Sequence, residues 1–203
     1  MALYGDASSS LTRPPRTAAE QYAVALDAHL YSTAAWWGIT ALAAAAVVTA
    51  VGGRWGDTAV FGGFALATGA FAALRGCQPR LSSLLVVVAA MINAAGWAWG
   101  IFPTVPGYDE FAHGFTCFTF AFLLGFASCG SEGGYFRNHP RLLGAAVASV
   151  AVAAGGLWEV VELTAGVAET RADRIQDIAA DAIGAAVAAP VVIWGVRRRR
   201  GAA

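Results

Sequence analysis

Three short groups of ionisable residues stand inside, or at the edge of, long apolar runs: Asp109, Glu110 and His113; Glu159 and Glu162; Asp177 and Asp181. Carboxylate and imidazole together suit Fe, Mn or Zn. Glu110-Phe111-Ala112-His113 is a Glu-x-x-His unit, of the kind that projects into metal-holding helix bundles. Those bundles carry two such units and this chain has one, because His29 and His139 map to the opposite end of their helices. Glu159 with Glu162, and Asp177 with Asp181, each place two carboxylates on one helix face. Calcium would not need the histidine.

Such groups are costly at membrane depth, roughly 2.5–3.5 kcal/mol for one Asp at the bilayer centre, so they turn toward a cavity or a partner. Close carboxylates also repel one another. The apolar runs contain no Lys or Arg to offset them, and Arg171 and Arg174 reach only the outermost acids. Protons or a bound cation must therefore neutralise part of the set, and the imidazole favours the cation. The expected ligands of one or two divalent ions are Glu110, His113, Glu159, Glu162, Asp177 and Asp181. Asp109 is expected to orient His113, and Asn93 to line the site or bond a neighbouring helix. Asp109, Glu110 and Asp177 also fit a plainer role, as N-terminal acids that complement a helix dipole. The residues point to no particular catalytic group.

The elements that must position these residues are membrane helices. The chain has 203 residues, 58% hydrophobic and 13% charged, against about a quarter charged in soluble domains. Six runs are long enough to cross hydrocarbon: 34–51, 59–74, 81–102, 108–126, 142–163 and 178–196. The expected fold is all-α, a polytopic membrane helix bundle of six spans. Residues 1–16, with Ser8, Ser9, Ser10, Pro14 and Pro15, read as a flexible tail. Residues 17–203 read as a single transmembrane domain. It comprises an interfacial helix at about 17–31, spans over 34–196, and a basic tail at 197–203. The start does not read as a secretory signal, since the first apolar run comes too late. A serine elbow, a P-loop and an HExxH motif are all missing.

Charge sets the orientation. All thirteen basic residues are Arg. Ten lie on one side of a six-span topology and three, Arg54, Arg171 and Arg174, on the other. Both termini are therefore expected in the cytoplasm, with the protein in the cytoplasmic (inner) membrane. Arg197 to Arg200 read as a basic stop facing anionic lipid rather than a nucleic-acid patch. Cys77, Cys117 and Cys129 form no CxxC pair, which leaves zinc ribbons and disulfide frameworks without support.

This topology brings all three acidic groups to one depth, in the outer third of three consecutive spans. Stripes at helical spacing agree: Glu110, His113 and Cys117; Gly155, Glu159 and Glu162; Asp177, Asp181 and Gly184. Glycine beside the acids lets helices approach closely. Asn93, Gly96 and Gly100 share one side of the third span, and Pro103 and Pro106 keep the next connection short and stiff. Trp36, Trp37, Trp97, Trp99 and Trp158 read as interface or packing residues.

Tyr108-Asp109-Glu110-Phe111-Ala112-His113-Gly114, Trp158-Glu159-x-x-Glu162 and Gln176-Asp177-x-x-x-Asp181-x-x-Gly184 together resemble the YjdF-like group of small polytopic proteins. More distantly they resemble VanZ-like proteins, whose pattern is D-x-x-x-H, E-x-x-E or E-x-x-Q, and D-x-x-x-D/N-x-x-G on three spans. The resemblance covers roughly the second half of the chain. It implies that Asp109 and His113, Glu159 and Glu162, and Asp177 and Asp181 form one shared site. VanZ-like proteins are associated with glycopeptide resistance, and this chain departs from many of them in keeping acids at all these positions.

The function expected from the residues is metal-dependent chemistry on a lipid or cell-envelope intermediate, as a hydrolase or oxidase, with the bilayer as the one certain partner. Two other readings stay open, a proton- or cation-coupled transporter and a non-enzymatic factor that binds an envelope ligand. Substrate, metal identity and oligomeric state are not legible in the residues.

Overall fold

The computed structural model describes residues 17–74, 78–130, 134–165 and 170–200. The expected flexible tail at 1–16, Cys77 and the last three residues of the basic tail lie outside these. Among the described residues every regular element is a helix: α1 Ala18–Val51, α2 Trp55–Leu74, α3 Arg80–Ala98, α4 Tyr108–Gly130, α5 Gly134–Asn138, α6 Pro140–Ala165 and α7 Arg171–Arg200. All but the five-residue α5 are long and apolar enough to cross a membrane. Their outward faces carry Trp37, Val51, Leu66, Leu74 and Ile183, all strongly exposed. A water-soluble protein hides such a surface; a lipid-embedded one presents it.

The boundaries depart from the hydropathy reading where polar residues are helical. α1 is one unbroken helix from Ala18, so the expected interfacial segment is continuous with the first span. α7 begins at Arg171, a full two turns before the apolar run, because Thr170 caps it. The Thr170 hydroxyl accepts from the Asp173 amide at 3.2 Å, and the Asp173 carboxylate accepts from the Thr170 amide at 3.0 Å. This reciprocal arrangement is a capping box. α3 ends at Ala98 rather than Phe102, since Gly100 turns the chain at φ +63°. Pro140 opens α6, where its missing N–H costs nothing.

The helices form two groups of three. In the first, α2 runs antiparallel to α1, with the Thr49 and Thr58 hydroxyls 3.0 Å apart near the turn. α3 packs across both, around Leu42, Phe61, Ala90 and Ala94. In the second, α4 and α7 run parallel and share the largest interface in the molecule, and α6 lies antiparallel against both. The groups meet along α3 and α4. There Asn93 donates to the Thr116 hydroxyl at 2.9 Å, the Tyr108 hydroxyl donates to the Ile92 carbonyl at 2.8 Å, and Gln78 donates to the Leu123 carbonyl at 3.2 Å.

Glycine sets the approach inside the second group. A β-carbon on Gly184 would strike the carbonyl of Gly114, and one on Gly114 would sit 3.2 Å from the Ala180 carbonyl. α4 and α7 are thus in backbone contact at the residue next to His113 and one turn from Asp181. A β-carbon on Gly155 of α6 would strike the Asp181 carboxylate, so this glycine makes the space in which the carboxylate sits.

Candidate metal centre

The connections α1–α2, α3–α4 and α6–α7 lie at one end of the bundle, and the ionisable residues converge there. His113, one turn into α4, is the hub. Its Nδ1 lies 3.5 Å from Asp181 Oδ1 on α7 and 3.7 Å from Glu159 Oε1 on α6. Its Nε2 lies 3.8 Å from Asp109 Oδ1, one turn back on α4. Donor atoms of Asp109, His113 and Asp177 all fall within 4.8 Å of one another, as do those of His113, Glu159 and Glu162. Three helices therefore supply two overlapping groups that share the imidazole.

These carboxylates are deeply enclosed. Glu159, Glu162, Asp177 and Asp181 retain 4%, 7%, 2% and 3% of their exposure. Glu162 Oε1 accepts from the Trp158 indole N–H at 2.7 Å, while Glu162 Oε2 and Asp181 Oδ2 are buried without a hydrogen-bond partner. Leaving a buried acceptor unmet costs about 1–3 kcal/mol, more when it is charged. Arg171 and Arg174 are the nearest cations in sequence. Arg171 is exposed, and Arg174 buries an Nε that makes no hydrogen bond.

A cavity of about 630 Å³ lies beside the cluster. Asp109, Glu110, His113, Glu162 and Asp177 form its polar side. Its apolar side is the α3–α4 connection with Trp97 and Phe102, and Trp158 of α6. Phe102 folds back onto Gly96, where a β-carbon would collide with the ring, so the glycine shapes this wall.

The structure thus gathers His113, Glu159, Glu162, Asp177 and Asp181 at one place. Asp109, expected to orient His113, approaches it directly and stands in one of the close groups. Glu110, the acid of the Glu-x-x-His unit, lines the cavity and belongs to neither close group. The two neighbours differ by about 100° around the helix, and the α4–α7 contact decides which one faces inward. Asn93, Gly96 and Gly100 all line the cavity, and Asn93 also bonds Thr116. Cys117, on the stripe below His113, packs with Ala121, Ala151 and Ala185 in an apolar layer. Trp158 is an addition to the reading of the residues. It stands four positions before Glu162 on the same face, a spacing that would have suggested the bond. Asp173 and Gln176 also line the cavity, in the part of α7 that hydropathy does not reveal.

Fold and site together define a polytopic helical membrane protein with a buried carboxylate–imidazole cluster at one end. A family model described as "Predicted membrane protein (DUF2238)" matches residues 30–200. The chain belongs to that family, the YjdF-like group. No curated protein and no solved structure matches it.

Proposed function

We propose that the cluster holds one or two divalent transition-metal ions and that the cavity beside it admits a lipid or cell-envelope intermediate for metal-dependent chemistry. The observation that carries this reading is the spacing around His113. Its Nδ1 contacts with Asp181 and Glu159, at 3.5 and 3.7 Å, are too long for good hydrogen bonds. Two ligand atoms on one tetrahedral ion, each about 2.1 Å from it, stand ~3.4 Å apart. An ion also supplies the positive charge that several buried carboxylates around one imidazole require. The mixed ligand set suits Fe, Mn or Zn.

Such an ion supplies a water activated at neutral pH, or polarises a carbonyl or phosphoryl oxygen. The protein's own residues do the rest. Trp158 holds Glu162 by one oxygen and leaves the other, buried and without a hydrogen bond, free to bind the ion or take a proton. Gly155 and Gly184 fix the helix spacing on which the ligand geometry depends. Phe102 and Trp97 give the cavity an apolar lining. By the arginine distribution the site faces the outer leaflet of the cytoplasmic membrane. The partial motif likeness to VanZ-like proteins is compatible with an envelope ligand.

A carrier would need a polar route to the other end of the bundle. Among the described residues, α6 and α7 close below the cluster on Leu143, Val147, Val192 and Val196. Cobalt reconstitution tests the metal reading: Co²⁺-loaded protein is expected to show ligand-field absorption that His113→Ala removes. An identical spectrum in that variant would contradict it.

A further inference from the structure

The cavity has a chemical bias that the metal reading does not require. Five carboxylates line it, from Asp109, Glu110, Glu162, Asp173 and Asp177, with His113 and, among the described residues, no Arg or Lys. A divalent ion offsets two of the five, and the chamber stays negative. An anionic head group would meet that field with nothing to pair with. Glu162, more than nine-tenths buried, is one of these lining carboxylates, and its Oε2 makes no hydrogen bond.

The lining is also aromatic. The Trp97 and Phe102 rings pack edge to face at 5.8 Å, and Phe102 continues to Tyr108 at 5.6 Å. Trp158 stands on the α6 side. Acids and indoles lining one chamber are the combination that selects organic cations, by ion pairing together with cation–π attraction. Trp97, Val105 and Trp158 line the cavity and remain about half exposed. An apolar tail attached to the cation would therefore have a surface to lie against.

We infer that this cavity takes the amine or ammonium head group of an amphipathic molecule, held by Glu110, Asp173 and Glu162 against Trp97 and Trp158. The inference names the ligand class for the site proposed above, and it rests on the cavity being the ligand chamber rather than on the metal.

The test uses full-length protein in an uncharged maltoside detergent, with tryptophan fluorescence as the readout. The titrants are octyltrimethylammonium, octyl sulfate and tetramethylammonium. Octyltrimethylammonium is expected to bind saturably and to weaken as sodium chloride is raised. Glu110→Gln is expected to weaken it about fivefold. Tetramethylammonium, with the charge and no tail, is expected to bind at least about tenfold more weakly. Octyl sulfate binding as tightly, tetramethylammonium matching the long-chain cation, or Glu110→Gln leaving the affinity unchanged would each overturn the proposal. If Glu110→Gln does not fold, the salt dependence of the wild type decides, and an affinity indifferent to salt is the contrary result. Wild-type protein found to carry no metal that still binds the alkylammonium would uphold this inference while the metal reading fails. Protein that retains its metal and ignores the alkylammonium would sink this inference alone.

Discussion

The two halves of the molecule pack similar numbers of helices for different ends. In α1–α3 the buried interior is aliphatic and aromatic, with hydroxyls that bond their own helix, as Thr68 does to the Phe64 carbonyl at 2.7 Å. Its one described ion pair, Arg54–Asp57 at 2.5 Å, sits at the helix end, where Arg54 also donates to the Ala98 carbonyl at 2.9 Å. In α4, α6 and α7 the same depth is occupied by four buried carboxylates gathered about one imidazole. The first half pairs its charge at the edge. The second draws several like charges inward, an arrangement that costs stability unless a ligand offsets it. The contrast puts the buried carboxylates of the candidate site in one half.

Glycines offer the sharpest way to break that contrast. Gly184→Ala puts a methyl group into the Gly114 carbonyl, where backbone cannot yield, and is expected to destabilise by about 3 kcal/mol or abolish folding. Gly63→Ala in α2 meets nothing within 4 Å, and is expected to stabilise by up to about 1 kcal/mol through helix propensity. Thermal unfolding in detergent checks both. Equal effects would dissolve the distinction between the halves.

The acids sharpen it. Asp181→Asn is expected to stabilise metal-free protein by about 1–2 kcal/mol, because it removes a buried charge. The same change is expected to erase the stabilisation that added metal gives the wild type. Asp57→Asn at the edge of the other half is expected to cost less than about 1 kcal/mol, with or without metal. Chelator and metal titrations of melting temperature compare the two. A metal-independent loss of stability in Asp181→Asn would show that the carboxylate is only structural.

Two smaller effects complete the series. Thr170→Ala removes the cap of α7 and is expected to cost about 1 kcal/mol, visible as faster amide exchange in the first turn of that helix. Trp158→Phe removes the N–H that holds Glu162 and is expected to cost about 1 kcal/mol. It is also expected to weaken metal affinity severalfold, which a pure packing role would leave unchanged.

Much of this was legible before any coordinates. Long apolar runs require helices in lipid, and short connections between them force antiparallel neighbours, so the convergence of three acidic groups at one end followed from order alone. The glycines at 155 and 184 carried a readable signal too, each standing one turn from an acid on its own stripe. What escaped was rotation and rotamer. Asp109 and Glu110 are adjacent, chemically alike and each within a turn of His113, and which of them joins a close group depends on the rotation of α4 and on rotamer. Trp158 looked like an interface anchor because an indole at a span's end commonly is one, and its N–H bond depends on side-chain geometry. The early start of α7 was hidden because hydropathy does not register the polar turns of Arg171 to Asp177, although the Thr-x-x-Asp cap was written in the residues.

The central claim, that the buried carboxylates and His113 hold a metal, is tested most directly by elemental analysis. Protein purified in detergent without chelator would be measured beside His113→Ala and Glu159→Gln. The account predicts about one or two transition-metal ions per chain in the wild type, lost in both variants while the helical content persists. A folded wild type that carries no metal, even after exposure to iron, manganese and zinc, would contradict it and leave the charge to be balanced by protons.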